Sequence, residues 1–264
     1  MQQILKYPRT RHIECSKEQY GDEGLNTVPF SELSGKHLVV EEKMDGANCG
    51  VSFSDEGDLL LQSRGHILTG GPRERHFAQF KTWGNMFQNR LFDLLDTRYI
   101  MYGEWMYAKH TIYYDALPHY FLEFDIYDKQ NEQFLSTTRR HSMLKEFPFI
   151  HSVRVLEAGS FEKIDQLTGL IGPSYAITSS NRENLCSAAS QKSLDVERAV
   201  RETDLSGIME GLYIKEEDEK CVLNRYKYIR GGFIQAVFEA EGHWHSKPII
   251  PNKLQNDGVM YEME

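Results

Sequence analysis

Between residues 37 and 64 three apolar runs follow one another: "HLVVEEK" (37–43), "NCGVSFS" (48–54) and "DLLLQSR" (58–64). Asp45-Gly46 and "SDEGD" (54–58) separate them, and both are turn signals. Short strand-like runs punctuated this way read as hairpins, hence as an antiparallel sheet. The same stretch raises a chemical question. Lys43 closes an apolar run and is followed at once by Asp45-Gly46. It is either a hairpin residue or a nucleophile set at a strand end.

The rest of the chain extends the pattern. Residues 1–36 are mixed, with turn signals at Gly21, Gly24 and Pro29. Helical spacing of Phe77, Phe80, Phe87, Leu91 and Leu94 predicts a helix over 73–95. Strands are expected at 99–107, 119–127, 209–215 and 220–228. Helices are expected at 137–146, 160–170, 183–202 and 232–241, before a loop-like tail. Strands grouped as hairpins, with helices inserted between groups, give an α+β class with mainly antiparallel sheets. There is no β-α-β-α alternation, and neither G-x-x-x-x-G-K-[ST] nor G-x-G-x-x-G occurs. A nucleotide would not be held by those cradles.

A chain of 264 residues is long enough for a sizeable core. No apolar run reaches transmembrane length, and the polar N-terminus is not that of a signal peptide. No membrane partner is expected. The four cysteines, Cys15, Cys49, Cys186 and Cys221, show no C-x-x-C pairing and read as free thiols of a reducing, cytoplasmic setting. The net charge of −9 argues against non-specific nucleic-acid binding. Charge is unevenly spread, however. Residues 64–90 carry Arg64, Arg73, Arg75, His76, Lys81 and Arg90 against Glu74 alone, and "NRYKYIRGG" (224–232) is wholly cationic. Two basic islands on an acidic body suit a phosphate backbone held at a defined place.

Further strand ends carry chemistry-bearing residues. "LQSRGHI" presents Arg64, "YGEW" presents Glu104, and "FLEFDIYD" contains Phe124-Asp125-Ile126. "MEGLYIK" presents Glu210 and Lys215, and "NRYKY" puts Arg225 and Lys227 on one face of a strand. Carboxylates suit a hard, oxygen-loving cation, cations suit phosphates, and an aromatic suits a base face. Taken singly, each has a plain reading. Glu104 could pair with Lys109, Phe124 could be core beside Leu122 and Ile126, Lys215 could be a solvated charge, and Asn48 could close a turn. His110 and His119 read as structural, and His243 and His245 as tail residues lacking a third ligand.

The ordered set K-x-D-G, S-R-G, G-E, F-D-I, E-G-x-x-x-K and cation-x-K, over roughly residues 37–235, resembles the covalent nucleotidyltransferases. Within them it is most similar to the ATP-dependent RNA ligases of the RNA-ligase-2-like type. Asn48, five residues past Lys43, and the gaps between motifs point to that branch. The resemblance implies a nucleotidyltransferase (ATP-grasp-like ligase adenylation) domain with a nucleotide cleft between mainly antiparallel sheets. It implies ATP and Mg2+ (or Mn2+) as cofactors. Lys43 would attack the α-phosphorus and carry AMP to the 5′-phosphate of RNA, which a 3′-hydroxyl then seals. Asp45, Glu104 and Glu210 would surround the nucleotide and a hydrated metal, and Phe124 would stack on adenine. Glu42 would contact the base, Asn48 the nucleotide, and Arg64 phosphate or the RNA end. Lys215, Arg225 and Lys227 would face the triphosphate. A separate end-healing kinase or phosphatase is an expected partner.

Three departures from the family follow. Arg225 stands where lysine is usual, Ser63 precedes Arg64 where relatives carry a cation, and about thirty residues follow the last motif. The expected division is an N-terminal extension (1–36), an adenylation domain (37–241) and a short tail (242–264) without an oligonucleotide-binding barrel. Alternatives are a DNA ligase, a GTP-using capping enzyme, or an inactive nucleotide- or RNA-binding homologue.

Overall fold

The computed structural model describes residues 4–17, 26–233, 248–256 and 259–261. Its strands are β1 (Arg11–His12), β2 (His37–Lys43), β3 (Ala47–Phe53), β4 (Leu59–Ser63), β5 (Tyr99–Trp105), β6 (Phe121–Asp128), β7 (Gln133–Phe134), β8 (His151–Ser152), β9 (Val155–Ser160), β10 (Gly211–Glu217) and β11 (Val222–Ile229). Its helices are α1 (Ala78–Met86), α2 (Gln88–Leu95), α3 (Thr137–Leu144), α4 (Ile164–Thr168), α5 (Asn181–Gln191) and α6 (Val196–Arg201). One sheet runs β1-β11-β10-β2-β9 and the other β4-β3-β5-β6-β7, with β8 parallel to β6. Apart from that pair and the parallel β1–β11 pair, neighbouring strands are antiparallel, so the α+β class holds.

The first expected hairpin does not form. β2 pairs with β10 and β9, whereas β3 pairs with β4 and β5. Met44–Gly46 therefore carries the chain from one sheet to the other instead of turning it back. Only β3 and β4 make the hairpin, closed by the Ser54 amide on the Asp58 carbonyl (2.9 Å) with Gly57 at φ +87. A left-handed position of that kind suits glycine.

Strand alternation sorts the side chains of the first sheet. Leu38, Val40, Leu212, Ile214 and Tyr226 pack outward on Phe30, Leu33, Phe161 and Leu167. Glu41, Lys43, Tyr213, Lys215, Arg225 and Lys227 occupy the alternate positions, toward the second sheet. The far face of the second sheet is closed by α1 and α2. Phe80 and Trp83 stack on Phe121 with centroids at 5.7 and 5.1 Å.

The helix expected over 73–95 is broken into a 3-10 turn (Pro72–Phe77), α1 and α2. The second break falls at Phe87, φ −97 and ψ 12, whose ring is stacked on Phe149 at 4.6 Å. The 160–170 helix shrinks to α4, because residues up to Ser160 pair with β2 as β9. The 183–202 helix splits where Ser193 takes φ +55 and Asp195 caps α6 through the Arg198 amide (3.0 Å). The expected helix at 232–241 lies almost wholly outside the described residues, as do His243 and His245.

Both terminal regions join the body. β1 extends the first sheet, and Tyr7 is buried between the sheets. Asn252 accepts from the Tyr114 amide (3.0 Å) and donates to the Met106 carbonyl (2.7 Å), while Leu254 and Met260 enter the core. Among the described residues no helix is long and apolar enough to cross a membrane.

Candidate active site

Lys43 ends β2 opposite Gly211, the first residue of β10. A Cβ at Gly211 would lie 1.9 Å from the Tyr228 carbonyl oxygen, so only glycine lets β10 start here. The preceding Glu210 is thereby placed with Oε2 2.7 Å from Lys43 Nζ. Asp45 lies on the passage between sheets. Its Oδ2 accepts from the Thr111 and Ile112 amides (2.7 and 2.8 Å), and its own amide donates to Tyr114 Oη (3.0 Å). Gly46 is required sterically. A Cβ there would meet Met106 Sδ at 2.7 Å and both Glu104 Cγ and the Trp105 carbonyl at 2.9 Å. The Glu104 side chain thus lies close above the Lys43–Gly46 passage. Glu104 is on β5, directly across from Asn48 on β3.

Three carboxylates therefore crowd one ammonium. Burial pushes the Glu104 carboxyl up to about 8; Glu210 and Asp45 add to the rise, while Lys43 and Arg64 oppose it. Burial also raises Asp45, against the Ile112 and Thr111 amides and Lys43. For Lys43, burial alone would favour the neutral amine, but Glu210, Glu104 and Asp45 outweigh it and raise its pKa. The groups acting on Lys43 are acids. An added cation fits the excess of acid here. Among the described residues, however, no three His, Cys, Asp or Glu side chains converge as a direct ligand set. Asp45, Glu104 and Glu210 would hold a divalent ion through its hydration shell.

The cations expected to face a triphosphate form a separate group. Lys215 is fully buried. It pairs with Glu41 (2.9 Å) and Asp125 (3.4 Å), and donates to the Phe124 carbonyl. Arg225 donates from Nε to Asp125 (3.1 Å) and lies 3.7 Å from the Phe134 ring centroid. Arg140 of α3 bonds Glu41 (2.7 Å) and Glu123 (2.8 Å). Three cations and three acids balance, so this is a neutral ion network that ties β2, β6, β10 and α3 together. Burial opposes ionisation of Asp125, yet Lys215, Arg225 and Arg140 hold its carboxyl below the ordinary range. Lys215 is accordingly engaged by protein acids, and Arg225 is turned to Asp125. Arg225 Nη2 nevertheless remains buried without an acceptor in hydrogen-bonding geometry. Lys227 is buried at the same parity of β11 as Arg225 and pairs in register with Tyr213.

Phe124 is 9% exposed and meets Tyr213 at 6.1 Å and Tyr7 at 5.1 Å between centroids. Tyr213 is two residues along β10 from Gly211, the partner of Lys43. That is about 7 Å along the strand. Arg64 is exposed beyond the end of β4, near enough to act on Glu104. Asn48 Oδ1 is buried with no donor in reach.

Glu42 takes the alternate position to Lys43 on β2 and lies near Ser174 and Tyr175. Burial lifts its carboxyl to about 7, offset by Ser174, the Tyr175 amide and Arg154, though neither oxygen meets a donor in hydrogen-bonding geometry. Sequence reasoning missed Glu41, Glu123, Asp125 and Arg140, together with Tyr7 and Tyr213. Asp125 lies inside the F-D-I motif and Glu41 two residues before Lys43, and both were open to notice. Arg140 carries no signal beyond its place in a helix.

The sequence model of one family, described as RNA ligase, matches residues 36–229. Among curated proteins no sequence match is found. Among solved structures, a point mutant of Naegleria gruberi RNA ligase with ATP and Mn is similar at TM-score 0.50 and 18% identity, over 76% of this chain and 52% of that one. Naegleria gruberi RNA ligase with PPi matches at TM-score 0.48 and 20% identity, over 75% and 50%. The chain spans about half the length of the solved structures it matches. The first of these likenesses bears on the fold alone. The family match covers the passage bearing Lys43, both sheets apart from β1, and every residue of the acid cluster, and by it the chain belongs to the RNA ligase family.

Proposed function

We propose that the protein is an ATP-dependent RNA ligase that joins 3′-hydroxyl and 5′-phosphate RNA ends through a covalent Lys43–AMP. The observation that carries this reading is Lys43 Nζ held 2.7 Å from Glu210, within a cluster of buried acids, on the strand paired with the one that carries Tyr213 against Phe124. The family match supports the same reading, and the ATP and Mn of the Naegleria complex are the ligands it carries over.

Lys43 forms a nitrogen–phosphorus bond to the α-phosphorus, the bond to pyrophosphate breaks, and the amine gives up its proton. Lys43 must first be neutral, and Glu210 holds it charged. A divalent cation at Asp45, Glu104 and Glu210 would supply positive charge that loosens this ion pair and favours the amine. The Thr111 and Ile112 amides keep Asp45 in place whether or not the lysine is charged. Phe124 offers a face for the base, and Arg64 lies where it can meet a phosphate. The 5′-phosphate of RNA then takes AMP from Lys43, and a 3′-hydroxyl displaces AMP.

On this reading the protein works in RNA repair in the cytoplasm. A separate kinase and phosphatase would supply the ends, because sealing needs a 5′-phosphate and a 3′-hydroxyl. The test is sealing of a nicked RNA duplex by purified protein with ATP and Mg2+ or Mn2+, beside nicked DNA and GTP. Sealing of RNA that is lost in Lys43→Ala supports the reading. Preference for DNA or for GTP, or no sealing of pre-adenylated RNA, sinks it.

A further inference from the structure

Residues 4–13 lie before the family match, which begins at residue 36, yet they reach the centre of the molecule. The Leu5 carbonyl accepts from Gln62 Nε2 (3.0 Å) and Tyr102 Oη (2.8 Å), which pins this segment to β4 and β5. Tyr7 follows, 6% exposed. Its hydroxyl donates to Asp125 and lies 2.6 Å from the Tyr213 hydroxyl, which Thr10 Oγ1 approaches at 3.2 Å. The Tyr7 ring meets Phe124 edge-on at 5.1 Å, and the Arg225 guanidinium lies 5.5 Å from its centroid. One side chain therefore touches the aromatic platform, the facing tyrosine, the acid that orients Arg225, and Arg225 itself.

We propose that Tyr7 is a positioning residue of the nucleotide pocket, which makes the N-terminal segment a wall of that pocket. It fixes the tilt of Phe124 against Tyr213. It also holds Asp125, so that Arg225 Nη2, buried with no acceptor of its own, is presented to the nucleotide. This rests on the reading of the cleft as an ATP site. A packing residue would have needed only the ring. The hydroxyl instead makes two polar contacts with groups on β6 and β10, the two strands that would flank the base.

The test separates a pocket role from a structural one. Tyr7→Phe keeps the ring and removes both hydroxyl contacts. The dissociation constant of ATP, read by calorimetry, should rise about tenfold, the worth of one buried hydrogen bond. The kcat of Lys43 adenylation should stay within about twofold, a split that marks lost ground-state binding. Tyr213→Phe removes the partner hydroxyl and should weaken ATP similarly, with the double variant little worse than either single one. Leu167→Ala, in the outer core, should cost stability and leave ATP affinity unchanged.

Unchanged ATP affinity in Tyr7→Phe, or weakening matched by Leu167→Ala at equal stability loss, overturns the inference. ATP binding by the wild type without any adduct overturns the functional reading and leaves Tyr7 tested by its affinity. Absence of ATP binding by the wild type overturns both.

Discussion

Arg140→Met tests the division of the charged residues into a reactive cluster and a neutral support. Arg140 is fully buried and gives hydrogen bonds of 2.8 and 2.9 Å to Glu123 and 2.7 Å to Glu41. Methionine matches much of its length but leaves two buried carboxylates with one cation fewer. Glu123 keeps the Ser152 hydroxyl (2.6 Å), and Glu41 keeps Lys215. Breaking a buried pair from one side costs about 3–5 kcal/mol, mostly the stranded charge, and these remaining partners put the expected loss near the lower figure. Adding Glu123→Gln removes the one uncompensated charge, because Lys215 and Arg225 then match Glu41 and Asp125, and should recover about half of that loss. Urea unfolding of both variants and the wild type at pH 7 measures this directly. Losses within about 1 kcal/mol for Arg140→Met, or no recovery in the double variant, would refute the network as a support, because a surface pair contributes no more than that.

Other residues give sharper, smaller tests. Gly46→Ala forces a Cβ to within 2.7 Å of Met106 Sδ and 2.9 Å of the Trp105 carbonyl. It should cost about 1–3 kcal/mol and displace Glu104 from Lys43, seen as lost adenylation in a folded protein. His119 is 1% exposed, accepts from the Phe121 amide (2.9 Å), and is pulled down to about 4 by burial. Because its folded pKa lies below the unfolded value, its contribution is full above about pH 6.5 and is lost as pH falls toward 4. His119→Gln should flatten that part of the stability–pH curve, and an unchanged curve would contradict the assignment. Asn252→Ala removes the bonds that fix the 106–114 segment, whose Thr111 and Ile112 amides hold Asp45. Adenylation should fall while secondary structure, read by circular dichroism, stays unchanged.

What the sequence made legible was local. β2 runs His37–Lys43 as its alternation and its end at Lys43 suggest, and Lys43, Asp45, Glu104 and Glu210 do meet. Strand partnership was not legible, because pairing is settled by which edges are left open elsewhere. Asp45-Gly46 has the composition of a hairpin turn, yet β2 is paired on both sides before β3 begins. The charge around Lys43 was not legible for a related reason. Lys215 and Arg225 are near in sequence motifs but are neutralised by Glu41 and Asp125, leaving the acids to dominate around Lys43. Tyr7 escaped notice because its partners, Asp125 and Tyr213, stand 118 and 206 residues away. Only the closure of the two sheets brings them together.

The central claim is that Lys43 becomes the nucleophile once its acids are neutralised. Its most direct test is peptide mapping by tandem mass spectrometry of protein incubated with ATP, with and without Mg2+ or Mn2+. The account predicts one AMP adduct, located on Lys43, formed only with the metal and cleaved by acid as a phosphoramide is. An adduct on any other residue, or one formed equally in metal-free buffer with Glu210 intact, would contradict it.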